Sequence, residues 1–346
     1  MEKLLNLSFK TGRSLKSIIS QEDLLFDPFD KAISRLKYKP DFFNYDLQSE
    51  TVASIQEIGK AKTWEECCAE RALNLLKLDY ENYWFAYSGG IDSTGMLTSI
   101  LKFWPAKELS RVSVVLTHHS VEENPFFFDK YVVKFNLINT LRPLSKMLLK
   151  GHTLMVTGEL GDQLFGSDIL GAGSRQYGDE VLFKNYKDVA PQIIEAYIGT
   201  KGPGKSIFEH FHPIVEESPF PIKTAHDFFW WLNFSQKWQH VKFRFIESTS
   251  WDLKAKYGSH IQHFYDSPSF QNWSLQNHDL KIRNTWQSYK FTAKEYIADF
   301  SKDPGQLNLT KIQSLEKTYV IDEKRIGVDS NYKPIQTFEE LKHYVR

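Results

Sequence analysis

Hydrophobic positions in the first half of the chain alternate between short continuous runs and stretches with helical spacing. Three continuous runs predict buried strands, at residues 83–87, 112–117 and 153–157. Between them, residues 93–104 have helical spacing, and residues 126–149 are predicted to be mostly helical with a break near Pro143. This alternation predicts an α/β fold, a parallel sheet with right-handed crossovers and flanking helices.

Helical patterns dominate on either side of this region. Thr63 and Glu66 form a capping-box pattern, which predicts a helix extending to Leu78. From about residue 175 the pattern is mostly helical, and residues 227–246 carry tryptophans and phenylalanines at helical spacing. We expect that aromatic helix to be core rather than a base-stacking platform.

The chain is therefore predicted to have three parts. Residues 1–60 form an N-terminal segment of unclear fold, and residues 61–300 form the main domain. Residues 301–346 form a C-terminal extension of turns, a short strand at 319–321 and a terminal helix.

Composition excludes several classes of protein. Hydrophobic residues make up 41% and charged residues 25%, which is typical of globular proteins. The 43 basic and 43 acidic side chains balance, so no net charge of the chain attracts nucleic acid or an acidic membrane. The two cysteines, Cys67 and Cys68, are adjacent, which predicts neither a disulfide framework nor a thiolate zinc site. No signal-peptide pattern and no apolar run of about 18 residues occurs. We expect a cytoplasmic protein with neither membrane nor nucleic acid as partner.

A glycine-containing loop follows the first predicted strand directly and leads into a helix. The SGGIDST loop (residues 88–94) has glycines that let backbone N–H groups approach an anion, and the helix N-terminus adds the positive end of its dipole. The residues predicted to bind ATP phosphates are Ser88, Gly89, Gly90, Asp92, Ser93 and Thr94. The Asp92 carboxylate is a hard oxygen ligand suited to Mg²⁺.

A second such loop follows the third predicted strand. The GELGDQLFG loop (residues 158–166) places Gly158 and Glu159 at the strand end and Asp162 shortly after. Ligands bind at the carboxyl ends of parallel strands, so we expect both loops to face one crevice. Asp92 and Asp162 are predicted to hold one Mg²⁺ ion that carries the phosphates.

Together the two loops resemble the synthetase domain of asparagine synthetase and its relatives, which include β-lactam synthetase and lasso-peptide cyclases. The resemblance runs from about residue 63 to 300 and implies a PP-loop ATP pyrophosphatase fold of the adenine nucleotide α-hydrolase type. It implies that Asp92 and Asp162 bind magnesium, that Gly158 helps to bind ATP, and that Glu159 lies near the reacting carboxyl. Gln163 stands where the family usually has glutamate.

A weaker resemblance lies downstream. Residues 263–266 (HFYD) are similar to the family's PFLD segment, and residues 288–291 (SYKF) to its WKYL-type segment. The resemblance implies that Lys290 is the catalytic lysine, whose fixed ammonium stabilises developing negative charge. It leaves the general base unidentified.

The stretch before residue 88 is too short for the glutaminase domain of glutamine-dependent asparagine synthetases, so we expect no glutamine hydrolysis. The resemblance implies an AMP- and pyrophosphate-forming ligase that adenylates a small-molecule or peptide carboxylate. The amine partner is ammonia, a substrate's own amine, or ammonia from a separate subunit. Two alternatives stay open: adenylation of a nucleobase or tRNA carbonyl, and a degenerate ATP-binding regulatory module.

Two further patterns have simpler interpretations. Residues 199–206 (GTKGPGKS) satisfy the Walker A expression, but no strand precedes them and aromatic helices follow, which favours a mobile loop or a lid. His118 and His119 near two glutamates suggest a metal site, although solvated loop histidines are the simpler interpretation. On the aromatic helix, Lys237, Lys242 and Arg244 are predicted to be exposed.

Overall fold

The computed structural model describes residues 52–56, 59–116, 118–139, 151–199, 201–238, 241–242 and 260–309. The predicted features of residues 1–51, the strand at 319–321, the terminal helix, Pro143 and Arg244 lie outside these residues. In the described part of the chain, no helix has the length and apolarity needed to cross a membrane. The chain divides into two compact units. The division predicted near residues 60 and 300 stays a prediction.

The first unit, which we call the sheet unit, contains the described residues within Lys62–Glu159, Thr249–Ser267 and Thr292–Arg346. Its strands are β1 (Asn82–Tyr87), β2 (Val112–Leu116), β3 (Asn136–Asn139), β4 (Thr153–Thr157) and β5 (Ile261–His263). They pair in the order β3-β2-β1-β4-β5, and every pairing is parallel. The predicted parallel α/β sheet is thereby confirmed.

The central strands are buried along almost their whole length. Every residue of β2 and β4 is buried, and in β1 only Asn82 is exposed. Continuous apolar strands of this kind are typical of parallel sheets that are covered on both faces. This is why the three runs were readable from the sequence.

Helices of the sheet unit precede, separate and follow these strands along the chain. The described ones are α1 (Trp64–Lys77), α2 (Ile91–Phe103), α3 (His118–Glu123), α4 (Pro125–Lys130) and α5 (Phe291–Ser301). The capping box is confirmed: Thr63 accepts from the Glu66 N–H, and the Glu66 carboxylate accepts from the Thr63 N–H at 2.7 Å. Trp104 Nε1 donates to the Ala72 carbonyl at 2.8 Å and so ties the end of α2 to α1.

The prediction for residues 126–149 was wrong in part. After α4 comes a short 3₁₀ turn at Val132–Lys134 and then strand β3. The strand has only four residues, and its pattern NLIN is too short for a periodicity to be recognised. Strand β5, three residues long, was missed for the same reason.

The second unit, which we call the helical unit, contains the described residues within Met1–Ala61, Leu160–Ser248 and Pro268–Phe291. Its helices are α6 (Val52–Gln56), α7 (Gly161–Phe165), α8 (Ile169–Tyr177), α9 (Tyr186–Ile198), α10 (Gly204–Phe211), α11 (Ala225–Leu232) and α12 (Pro268–Gln276). A π-helical segment, Asn233–Lys237, continues α11. A second capping box, Thr224 with Asp227, begins α11.

The aromatic helix is core, as predicted. Trp230, Trp231, Phe234 and Trp238 are each 0% exposed. The expectation that Lys242 is exposed was wrong, because the residue is 4% exposed. Lys237 is half-buried and lies 3.9 Å from Asp168.

Candidate functional site

The SGGIDST loop of the sheet unit depends on Gly89. Its φ is 79°, and a Cβ atom there would lie 2.4 Å from the Ser120 carbonyl oxygen. No other residue therefore fits without moving α3. Helix α2 begins at Ile91 with Gly90 as its N-cap, and no side chain makes a capping hydrogen bond there. The first turn thus presents its N–H groups and positive dipole end without a capping side chain.

The hydroxyl groups of this loop hold its shape. Ser93 Oγ accepts from the Ser88 N–H and donates to the Gly90 carbonyl, both at 3.1 Å. Thr94 Oγ1 donates to the Gly89 carbonyl at 3.2 Å. Ser93 and Thr94 are buried, whereas Ser88 is exposed. Their predicted contacts with phosphate stay a prediction, and the structure adds a role in fixing the backbone.

The end of β4 touches the same loop. A Cβ atom on Gly158 would lie 2.8 Å from the Ser93 backbone nitrogen and 2.9 Å from its Cα, so only glycine permits this approach. In the sheet, β2 and β3 lie on one side of β1, whereas β4 and β5 lie on the other, so the strand order reverses between β1 and β4. The carboxyl ends of β1 and β4 therefore meet at this reversal. Ligands of doubly wound sheets bind where the strand order reverses. Gly158, the first residue of the GELGDQLFG loop, thus contacts the SGGIDST loop, and the expectation that both loops face one crevice stays a prediction.

Strand β5 supports the end of β4. His263 Nδ1 and Thr157 Oγ1 lie 2.7 Å apart, and Thr157 Oγ1 also accepts from the Glu159 N–H at 3.3 Å. Glu159, the predicted catalytic glutamate, is half-buried and is the last residue of this stretch of the sheet unit. Its backbone is thus fixed by the strand end.

Tyr265 holds the backbone of Asp92. The Tyr265 hydroxyl donates to the Asp92 carbonyl at 2.9 Å, and the ring stacks on Trp64 with centroids 5.8 Å apart. Burial, together with the Asp92 charge, raises the pKa of Tyr265 well above its usual range, so the phenol stays a donor. Sequence reasoning missed this residue, although it lies in the HFYD segment that carried the weaker resemblance.

In the helical unit, two residues predicted from different motifs form an ion pair. Asp162 stands in the first turn of α7, and Lys290 Nζ lies 2.7 Å from its Oδ1. The Lys290 side chain is 4% exposed and that of Asp162 is 27% exposed, so the carboxylate is the accessible member. The Tyr289 hydroxyl also donates to Asp162 Oδ1, at 3.5 Å.

Both sides of this ion pair have backbone conformations that are unfavourable for residues other than glycine. Leu160, which precedes α7, has a φ of 74°, and Lys290 has a φ of 62°. Such conformations cost on the order of 1–3 kcal/mol each, and they persist only where contacts with the surrounding structure hold them in place. They also concentrate at functional sites.

Side chains of α11 satisfy the carbonyls of α7. Trp230 Nε1 donates to the Leu164 carbonyl at 3.1 Å, and His226 Nε2 donates to the Phe165 carbonyl at 3.1 Å. A helix of five residues leaves its last carbonyls without intrahelical partners, so these donors stabilise it. The helix that carries Asp162 is therefore rigidly held.

Gln163 takes part in this support. Its Nε2 donates to Asn233 Oδ1 at 3.1 Å, while Asn233 Nδ2 donates to the Asp162 carbonyl at 3.4 Å and to the Gly166 carbonyl. Gln163 is 3% exposed. The amide at this position is thus a buried structural donor, which a carboxylate cannot be.

In the described part of the Walker A-like loop, two backbone N–H groups are already bound within the chain. Its N–H groups at Gly202 and Gly204 donate to Glu195 Oε1 of helix α9, at 2.8 and 3.4 Å. A carboxylate of the chain itself thus occupies the position of an anion, and a helix precedes the loop where a P-loop needs a strand. That this loop is not a second nucleotide site stays a prediction. The side chains of His118 and His119 lie outside the described part of the structure.

One cluster in the helical unit has the composition of a metal site. His226, Asp227 and His278 have ligand atoms within 4.8 Å of one another. Sequence reasoning missed it because its members lie on separate elements, α11 and the 3₁₀ turn at His278–Leu280.

No protein-family model, curated protein or solved structure matches this chain. The resemblance to the asparagine synthetase family therefore rests on the motif residues alone.

Proposed function

We propose that this protein is an ATP-dependent ligase that adenylates a substrate carboxylate, releases pyrophosphate and transfers the acyl group to ammonia or an amine. The observation that carries the proposal is the close approach of Gly158 to Ser93 in the first turn of α2. This approach lies where the strand order reverses between β1 and β4. The order β3-β2-β1-β4-β5 is compatible with a PP-loop pyrophosphatase fold, which we propose as the finer classification.

The SGGIDST loop is the proposed ATP-binding element. Its Gly89 has the positive φ that a tight anion-binding turn requires, and the first turn of α2 offers N–H groups at the positive end of the helix dipole. Ser88 is exposed at the front of this loop and is the hydroxyl most accessible to a phosphate oxygen. The loop binds ATP with its phosphates against α2.

Asp92 and Asp162 are the proposed magnesium ligands. Both carboxylates are half-buried, and oxygen ligands of this type suit Mg²⁺. The residues belong to different units, so their assignment to one ion rests on the motifs. When bound, magnesium neutralises charge on the triphosphate and on the leaving pyrophosphate.

Lys290 is the proposed catalytic cation. It is buried and held on Asp162 by a 2.7 Å contact, so its position is fixed before substrate arrives. A fixed ammonium stabilises negative charge that develops on the α-phosphate or on the acyl oxygen without reorganising. Glu159, at the end of β4, is proposed to lie near the reacting carboxyl.

ATP–pyrophosphate exchange with a panel of carboxylic acids tests the proposal. We expect exchange that depends on an acid and on Mg²⁺, and its loss in Asp92→Ala and Asp162→Ala proteins that remain folded. Each removed carboxylate should lower the exchange rate by at least about 100-fold, as for charge-stabilising catalytic groups. Lys187→Met, an exposed substitution, is the control.

Three outcomes contradict parts of the proposal. Full activity of Asp162→Ala would overturn the two-carboxylate assignment. Exchange that requires tRNA or a nucleobase instead of an acid would favour the nucleic-acid alternative. ATP binding without exchange under any condition would favour a regulatory module.

A further inference from the structure

Asp227, His278 and Lys281 form a chain of hydrogen bonds in the helical unit, in which Lys281 is buried and the other two residues are half-buried. His278 Nε2 lies 2.7 Å from Asp227 Oδ1, and Lys281 Nζ lies 3.0 Å from His278 Nδ1. With Nε2 donating to the carboxylate, Nδ1 accepts from the Lys281 amine. An ionised Asp227 and one additional proton held by His278 or Lys281 make the chain electrically neutral.

Lys281 is 0% exposed, and its Nζ lies 3.4 Å from the ring centroid of Trp230. Burial lowers the pKa of Lys281 well below its usual range, and the Asp227 charge acts in the opposite direction. A lysine held between an imidazole nitrogen and an indole face has its whole side chain fixed. The proposed reaction does not use this amine directly, because it is sealed from solvent.

The hydrogen bonding of this cluster argues against a metal ion. Asp227 Oδ2 accepts from the N–H groups of Lys223 and Thr224, at 2.9 and 2.8 Å, while Oδ1 contacts His278. His226 Nε2 donates to the Phe165 carbonyl. These groups already have protein partners, and the amine of Lys281 occupies the remaining side of His278.

The backbone of Lys281 leads to the proposed catalytic lysine. The Lys281 carbonyl accepts from the Lys290 N–H at 2.9 Å and closes the segment between them. Inside that segment the Arg283 N–H donates to Ser288 Oγ at 2.8 Å. Lys290 keeps its positive φ of 62° at the point where this closed segment ends. One end of the segment is fixed in the core by Lys281, and the other presents Lys290 to Asp162.

We propose that Lys281 is a positioning residue for Lys290: its buried side chain, held by His278 and Trp230, fixes the carbonyl that receives the Lys290 N–H. The closed segment thereby keeps Lys290 in its left-handed conformation on Asp162. The effect on catalysis rests on the proposed function, whereas the effect on the Lys290 backbone does not.

Hydrogen exchange of the Lys290 amide in the full-length protein tests the structural part. Lys281→Met keeps the length of the side chain but loses the donor to His278, and we expect the Lys290 amide to exchange at least about tenfold faster. Lys187→Met, which removes an exposed ammonium 5.9 Å from the Tyr186 ring centroid, is the matched control and should leave that amide unchanged.

His278→Gln is the second variant in case Lys281→Met does not fold. Its amide can reproduce the Nε2 contact with Asp227 but not the acceptor for Lys281, so it should also accelerate exchange. His278→Asn can reproduce the Nδ1 acceptor and should accelerate it less. Unchanged Lys290 exchange in folded Lys281→Met or in His278→Gln would overturn the proposal.

Pyrophosphate exchange provides the catalytic readout. In Lys281→Met we expect kcat to fall by at least about tenfold, because Lys290 is misplaced and stabilises developing charge less well. The KM for ATP should stay within about twofold of wild type, because the ATP-binding loop is unchanged. A purely structural role would lower the folded fraction and leave kcat per folded molecule unchanged. If the wild-type protein shows no exchange, the proposed function fails while the amide measurement still decides the positioning role.

Discussion

At the scale of single residues, the site combines positions that the sequence identified with partners that it did not. Asp162 and Lys290 were predicted from motif resemblance, and their side chains meet at 2.7 Å. Tyr265 and Asn233 were not predicted, because a residue that supports a distant loop through its backbone carbonyls leaves no recognisable local pattern. Chemistry-bearing residues are therefore more readable from the sequence than the residues that hold them.

Gln163 provides a test at this scale. Gln163→Glu places a buried carboxylate against Asn233 Oδ1, and a flip of Asn233 would lose its donations to the Asp162 and Gly166 carbonyls. We expect the free energy of unfolding to fall by about 1–3 kcal/mol, the cost of leaving buried polar groups unsatisfied. Urea unfolding measures it, with the exposed Gln176→Glu as a control expected within about 0.5 kcal/mol of wild type. A variant as stable as the control would contradict this account of Gln163.

At the scale of elements, the long buried strands and capped helices were predictable and the short ones were not. β1, β2 and β4 gave clear signals because both faces are buried, whereas β3 and β5 are defined by their pairing with neighbouring strands. The five-residue helix α7 depends on hydrogen bonds from α11, which lies far away in sequence. Elements stabilised by distant partners carry too little local information to be recognised.

The approach of β4 to α2 yields a prediction at this scale. Gly158→Ala puts a methyl group 2.8 Å from the Ser93 nitrogen and must displace the SGGIDST loop. We expect a loss of about 1–3 kcal/mol in stability from overpacking and at least about tenfold weaker ATP binding, measured by urea unfolding and by calorimetric titration. Gly151→Ala is the control, since among the described residues its Cβ would meet only Thr153 Oγ1, at 3.5 Å. Wild-type ATP affinity in Gly158→Ala would show that the two loops do not form one site.

At the scale of the whole molecule, the sequence predicted the class of fold, but not the division into units. The helical unit gathers residues from separate stretches of the chain, and the sequence has no composition change that marks them. The parallel sheet was predictable because crossover connections and buried strands follow general rules. The hydrogen-bonded chain of Asp227, His278 and Lys281 was not predictable, because only tertiary packing brings these residues together.

Two histidines with lowered pKa values make the stability of the molecule depend on pH. Burial lowers the pKa of His226 from 6.5 to about 3, and it also lowers that of His278. Between pH 6.5 and about pH 3, His226 binds a proton in the unfolded chain but not in the folded protein. The stability that depends on this neutral histidine is therefore fully present above pH 6.5 and is lost as the pH falls toward 3. Each such proton changes the free energy of unfolding by about 1.4 kcal/mol per pH unit.

His226→Gln removes one titrating group while keeping a donor for the Phe165 carbonyl. We expect its acid-induced loss of stability to be shallower than that of wild type, measured by urea unfolding at several pH values between 4 and 7. The exposed His210→Gln should follow the wild-type curve. A His226→Gln curve parallel to wild type would contradict the assignment of a buried neutral imidazole.

Oxygen transfer tests the central claim most directly. With an acid that supports exchange, labelled with ¹⁸O in its carboxylate, and with the amine present, attack on the α-phosphorus leaves one carboxylate oxygen on AMP. We expect AMP that carries one ¹⁸O and pyrophosphate that carries none, as measured by mass spectrometry. Unlabelled AMP, or label in inorganic phosphate together with ADP formation, would contradict it.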